Sequence, residues 1–242
     1  MPGLTPVPED WSRALAVVAH PDDMEYGTAS AVARWTGLGK EVTYVMVTDG
    51  EAGIDGMAPD RAGPLRRDEE RRSAAEVGVS TVEFLGHPDG LVQADLRLRA
   101  DLARMIRRHR PEVLVSINFR ESFGGAGWNH ADHRHVGAAL LDASRDAGNR
   151  WLFTEQFDEG LEPWPGVRFV LFGGSPEATH GVDITDTIDA GVASLEQHRV
   201  YLDALPDGTT GKDVEPFLRG IAAGAGPALG VELATTFELI PV

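Results

Sequence analysis

The sequence predicts an α/β fold: a three-layer sandwich built on a mostly parallel sheet covered by helices on both faces. Two observations carry that reading. Short apolar strands alternate with helical segments through roughly the first 110 residues. The helical segments close on glycine or run into proline, as helix ends do. In order, "ALAVVAH" (14–20) reads as a buried strand and "TASAVARWTGLG" (28–39) as a helix ending at glycine. "EVTYVMVT" (41–48) is a β-branched strand, and "PLRRDEERRSAAEVG" (64–78) a charged helix closed by Gly78. "TVEFL" (81–85) is a third strand, and "DLRLRADLARMIRRHR" (95–110) carries apolar residues at helical spacing with Pro111 just beyond. "EVLVSI" (112–117) is a fourth strand. Strand–helix alternation of this kind is the signature of a parallel sheet.

The second half is less regular. "VRFVLFG" (167–173) and "TTFELI" (235–240) read as strands, and "DAGVASLEQHRVYLDAL" (189–205) as one helix. "GIAAGAGPALG" (220–230), rich in glycine with one proline, reads as a loop or broken helix. No linker, repeat or low-complexity tail divides the chain, so residues 1–242 are expected to form a single domain.

Composition bounds the function. With 22 Lys plus Arg against 38 Asp plus Glu, the net charge is −16, which argues against nucleic acid and anionic membrane surfaces as partners. There is no cysteine, hence no disulfide and no thiolate ligand. The N-terminus lacks the basic start and apolar run of a signal peptide, and no stretch approaches eighteen consecutive apolar residues. A soluble cytoplasmic protein is the expectation, and a homo-oligomer is compatible with it.

Ligands of parallel sheets bind beyond the carboxyl ends of the strands. That rule selects four loops: "AHPDD", "TDGEAG", "GHPDG" and "NFRESFGGAGWNHADH". The first continues as "AHPDDMEYG" (19–27), which packs His20, Asp22, Asp23 and Glu25 into a few positions. Pro21 suits the first position of a helix, which would put Asp22 and Asp23 in a first helical turn, where carboxylates are favoured. Carboxylates this close repel one another unless a positive charge sits among them. The fourth loop ends in "NHADHRH" (129–135), with His130, Asp132, His133 and His135 on the same expected edge of the sheet. A His₂-Asp set with an open position is a common way to hold catalytic zinc.

"AHPDD.E" followed about 110 residues later by "H.DH" resembles the LmbE/PIG-L family of zinc-dependent N-deacetylases. "TDGEAG", "LRRDEERRSAAEVGV", "FLGHPDG" and "SLEQHR" resemble further segments of that family, so the likeness covers most of residues 14–199. It implies a Rossmann-like three-layer sandwich. It implies that His20, Asp23 and His133 bind zinc, Asp22 acts as general base, and His130 stabilises the oxyanion or protonates the leaving amine. It further implies that Asp132 orients His130, that Arg66 touches the substrate, and that Glu25 plays a supporting part. The sequence departs from the family where Trp128 stands in place of a tyrosine, where Ala131 replaces a frequent proline, and at "HRVY" in the late helix.

The expected activity is removal of an acyl group, acetyl above all, from an N-acylated amino sugar or its conjugate, a small-molecule substrate. An amidase of a thiol or glycopeptide conjugate and a metal-binding module without catalysis stay open at this point. Zinc is the expected ion, although iron(II) or another divalent ion suits the same His and carboxylate donors.

Overall fold

The computed structural model describes residues 3–125 and 127–242; Ala126, inside the loop "NFRESFGGAGWNHADH", and the first two residues lie outside the described residues. The elements follow the expected alternation. β1 (Thr5–Pro6) and β2 (Arg13–Val18) precede α1 (Ala29–Gly37), β3 (Glu41–Met46), α2 (Pro59–Glu76), β4 (Thr81–Phe84), α3 (Leu96–His109), β5 (Val113–Ile117) and α4 (Ala131–Asp146). A short α5 (Glu155–Asp158), β6 (Phe169–Gly173) and β7 (His180–Asp183) come next, then α6 (Ile188–Glu196), α7 (Arg199–Ala204), α8 (Val214–Leu229) and β8 (Ala234–Pro241).

The strands form one sheet in the order β1-β7-β8-β6-β5-β2-β3-β4. All neighbours pair in parallel except β8, which runs antiparallel to both β6 and β7. Side chains alternate across a strand. Thus Ala14, Ala16 and Val18 of β2 enter a core under α1, α2, α6 and α8, while Leu15 and Val17 enter a second core under α3 and α4. A strand buried on both faces has no polar side to present, which is why "ALAVV" is an unbroken apolar run.

The chain leaves β2 towards β3 and β4, then returns to place β5 on the other side of β2. Neighbouring loops diverge at such a reversal, and a crevice opens between the carboxyl ends of β2 and β5. His20 follows β2, and His130, Asp132 and His133 follow β5 at the start of α4, so the topology brings the two clusters together at this point.

Several expectations need correcting. Asp22 and Asp23 are not in a helix: residues 20–28 form consecutive turns and α1 begins only at Ala29. The main chain of Asp22 has φ of +93°, incompatible with a right-handed turn, and its carbonyl accepts from the amides of Glu25 and Tyr26. The charged helix starts earlier than expected, at Pro59, whose missing N–H costs nothing in a first turn. The segment 189–205 is two helices, because the amide of Val200 donates to the Glu69 carboxylate (2.7 Å) instead of continuing the helical ladder. The glycine-rich stretch 220–230 is not a loop but the interior of α8, with Pro227 in its last turn and Gly230 (φ +80°) closing it. Gly226 lies so near the carbonyls of Val231 and Glu232 that any side chain would collide with them. Small residues here let the helix fold back tightly onto β8. The strands β1 and β7 escaped sequence reading, being two and four residues long.

One buried cation ties down the far end of the α3/α4 layer. Arg107 of α3 donates to the carbonyls of Asp146, Ala147, Asn149, Leu152 and Phe153 and to the Gln156 side chain. Arg107→Met is expected to strand several of these acceptors and to lower stability by roughly 2–4 kcal/mol, read as a reduced urea midpoint with metal content unchanged.

Candidate metal centre and active site

His20 sits two residues beyond β2 with its ring held from both sides. Its Nε2 faces Asp132 Oδ2 at 3.2 Å and Asp89 Oδ1 at 3.1 Å. Its Nδ1 faces Asp23 Oδ2 at 3.5 Å, and the same carboxylate accepts from the His20 amide at 2.8 Å. His133, one turn into α4, places Nε2 3.0 Å from Asp23 Oδ1 and 3.2 Å from His20 Nδ1. Its other nitrogen, Nδ1, lies 3.0 Å from Asn129 Oδ1. The Asn129 amide is fixed in that sense because its nitrogen donates to the carbonyls of Asn118 and Arg120.

These bonds assign the protons. A carboxylate on His20 Nε2 puts the proton there, and the Asn129 oxygen puts the proton of His133 on Nδ1. His20 Nδ1 and His133 Nε2 then turn lone pairs towards one another, with both oxygens of Asp23 beside them. Zinc bonds of about 2.0–2.1 Å would separate tetrahedral ligand atoms by about 3.3 Å, so the spacings of 3.0, 3.2 and 3.5 Å fit a small divalent ion. Outer bonds to carboxylate and amide are also what metal-bound imidazoles usually have. The electrostatics agree. Burial opposes charge on His20, yet Asp23, Asp132 and Asp89 together hold its pKa well above the ordinary value. Burial likewise opposes charge on Asp23, yet His133 and His20 hold its carboxyl far below the usual range. The cage is built for positive charge.

Asp22 is placed differently from its neighbour. Its carboxylate meets Arg66, whose Nη2 lies 2.7 Å from Oδ2. The amide of Asp22 donates to Glu70 Oε2 at 3.3 Å. A non-glycine residue at φ +93° is strained, and these two contacts hold it there. Burial pushes the Asp22 carboxyl up to about 6, with Arg66 pulling the other way. Below it, Glu25, Glu70 and His198 are buried together, with His198 Nε2 3.8 Å from Glu25 and 3.6 Å from Glu70. Burial raises both carboxyls, that of Glu25 to about 7, and lowers His198 to about 3, so the trio is held near neutrality.

His130 is the exposed member of the cluster, its ring centroid 5.1 Å from that of His20 and 5.4 Å from that of His133. Its Nδ1 accepts from the Asp132 amide at 3.2 Å, which leaves the proton on Nε2. Burial and the neighbouring His20 lower its pKa, so it stays neutral.

Two roles implied by the resemblance change with this geometry. The Asp132 carboxylate bonds to His20 and to the amides of Gly90 and Val92, and it is the Asp132 amide that orients His130. Arg66 does not reach out towards a substrate: it is 2 % exposed and donates to Pro21, Gly50 and Asp22, with its guanidinium 4.2 Å over the Tyr201 ring. Gly50 accommodates it, since a Cβ there would come within 2.6 Å of the guanidinium. That is the physical reason for a glycine in "TDGEAG". Trp128 is 68 % exposed at the rim, with the Arg134 guanidinium 5.1 Å from its ring. His87 pairs with Asp101 and His135 with the Val92 carbonyl, both away from the cage.

Sequence reading missed Asp89 and Asn129 as ring-orienting groups. A signal for Asp89 existed: "HPD" occurs after β2 and again at residues 87–89, each time at the carboxyl end of a strand. Asn129 carried none, being one polar residue in a polar loop.

Comparison with known proteins identifies the family. The sequence profile of PIG-L, described as GlcNAc-PI de-N-acetylase, matches residues 15–144. Diacetylchitobiose deacetylase of Thermococcus kodakarensis is 28% identical over 238 residues, covering 96% of this chain and 84% of the relative. The 1D-myo-inositol 2-acetamido-2-deoxy-alpha-D-glucopyranoside deacetylase of Thermobispora bispora is 34% identical over 219 residues, covering 76% and 68%. Among solved structures, N,N'-diacetylchitobiose deacetylase from Pyrococcus horikoshii superposes with a TM-score of 0.86 at 26% identity, over 96% of this chain and 85% of that one.

Elemental analysis of the purified chain is expected to find about one divalent ion per chain. His133→Ala should lose it, whereas Asp89→Asn, which meets the outer nitrogen of His20 and the Ala52 amide, should weaken metal affinity about 10- to 100-fold. Full metal retention by His133→Ala would remove that residue from the cage.

Proposed function

The chain belongs to the PIG-L family, and on that premise we propose that it is a zinc-dependent amidohydrolase that removes an acyl group from the nitrogen of an amino sugar or its conjugate. The observation that carries this reading is the pair of lone pairs, His20 Nδ1 and His133 Nε2, facing each other beside Asp23, with the His130 ring 5.1 and 5.4 Å from theirs. The named deacetylase relatives support the same reaction, and their N-acetylated sugar substrates support the substrate class.

His20, Asp23 and His133 would hold the ion. Bound there, a divalent ion supplies a Lewis acid beside the amide and lowers the pKa of water. The chain's own residues do the rest. Asp22, anionic above about pH 6, takes the proton of the attacking water as its oxygen bonds to the carbonyl carbon. The neutral His130 donates its Nε2–H to the oxygen on which negative charge develops. A neutral imidazole in that tautomer is a hydrogen-bond donor rather than an acid, so the proton for the departing nitrogen returns from Asp22. The C–N bond breaks, nitrogen keeps the electron pair and takes that proton, and amine and carboxylate leave. Arg66 works through Asp22: it fixes the carboxylate and keeps its pKa from rising further, and substrate contact is not part of its role.

Asp22→Asn keeps the shape and removes the base. It is expected to retain metal and to lose roughly two to four orders of magnitude in kcat, measured as free amine released from N-acetylglucosamine conjugates. Loss of metal in Asp22→Asn, with metal and rate both kept in Asp23→Asn, would reverse the two roles.

The pH dependence follows from the direction of the Asp22 shift. The base works only when deprotonated, so kcat/KM should fall as pH drops through about 6, or through a lower value once a cation in the cage adds its pull. Arg66→Met removes an opposing positive charge from Asp22, so the acidic limb should move to higher pH. An unmoved limb in that variant would disconnect Arg66 from the base.

A further inference from the structure

A cavity of about 620 Å³ opens directly off the candidate metal cage, and Asp23 and His133 form part of its wall. Away from them it runs beneath α8 against the ends of β5, β6 and β8. The far wall is hydrocarbon: Ile188, Phe217, Leu218, Ile221, Ala222 and Ala225. Neither Asp22, which handles the proton of the nitrogen, nor the exposed His130 is among its lining residues.

Resting on the hydrolase reading above, we propose that this cavity is an acyl site, and that the preferred substrates carry a medium-length alkyl chain rather than acetyl on the amino-sugar nitrogen. Polarity decides which half of the substrate enters. Thr28, Ser30, Thr210, Thr235 and Thr236 also line the cavity, but hydrocarbon predominates, so a sugar ring buried there would leave most of its hydroxyls without partners, which is costly. An alkyl chain loses nothing there and gains from leaving water. The amide carbonyl must lie at the cage, so a chain attached to the carbonyl carbon passes straight into the cavity. The sugar then stays at the open, polar rim beside His130. The volume far exceeds the needs of a methyl group and lies within the range of cavities that enclose whole small ligands. The reaction is otherwise unchanged: water's oxygen bonds to the carbonyl carbon, the C–N bond breaks, the nitrogen takes a proton, and a fatty carboxylate is released.

The test is a series of N-acetyl-, N-butanoyl-, N-hexanoyl- and N-octanoyl-glucosamine, with free amine measured for the metal-loaded full chain. For the wild type, kcat/KM is expected to rise by about fourfold per added methylene up to hexanoyl. In Ala225→Phe, which narrows the cavity, and in Ile221→Asp, which puts a charge in the half-exposed part of its wall, the hexanoyl-to-acetyl ratio should fall. The wild-type series is decisive even where a variant folds poorly. Activity that is greatest on acetyl and declines with chain length would overturn the acyl site while leaving the deacetylase reading standing. Octyl N-acetylglucosaminide outpacing N-acetylglucosamine, with no gain from longer acyl chains, would also overturn it, by giving the cavity to the aglycone. No amine from any member of either series would defeat the hydrolase reading itself.

Discussion

Repulsion among carboxylates is the constraint around which this molecule is arranged. Asp22, Asp23, Asp89 and Asp132 converge on one crevice, and Glu25 and Glu70 lie buried beneath it. At an internal dielectric well below that of water, several such charges gathered around one imidazole are not tolerable without positive countercharge. The fold answers in three ways. It places the imidazoles of His20 and His133 between the carboxylates at the cage, with room for a cation. It drives Arg66 into the interior to meet Asp22. It desolvates Glu25 and Glu70, which raises both carboxyls and opposes their ionisation.

The division of labour between two adjacent aspartates follows from that arrangement. Asp23 is surrounded by histidines and stays ionised, a good ligand. Asp22 is turned to the other side by its positive φ and sits under burial that raises its pKa and an arginine that lowers it. The balance leaves it near the range where a base is effective. Two chemically identical side chains, neighbours in sequence, thus reach opposite electrostatic fates through a single backbone torsion.

The sheet and the location of the site were legible because both follow from periodicity. Apolar runs separated by helical segments fix a parallel sheet, and a parallel sheet directs attention to the carboxyl ends of its strands. The boundaries that failed did so for tertiary reasons. No local rule reveals that Glu69 will accept the Val200 amide and break a helix at His198. Nor does composition reveal that glycines and alanines at 220–230 are small so that α8 can press on the turn into β8, rather than because the segment is irregular. At the site, residue types were readable but directions were not. "HPDD" shows two carboxylates; only the torsion at Asp22 separates them. Arg66 was marked by the resemblance as a substrate contact, and only its burial shows that its partner is internal. Asp132 was visible beside His130, but its carboxylate crosses to His20.

The position of β8 carries a consequence for the order in which the molecule is assembled. It follows every other element in sequence, yet it inserts between β6 and β7 in the sheet. From it, Glu238 grips Arg120, the Arg120 carbonyl accepts from the Asn129 amide, and Asn129 holds the His133 ring. During synthesis, β2, β5 and α4 emerge long before Glu238 does. A nascent chain therefore holds His20, Asp23 and His133 before it holds the latch that orients the His133 ring. The support that reaches His133 through Arg120 and Asn129 is therefore complete only once β8 has joined the sheet.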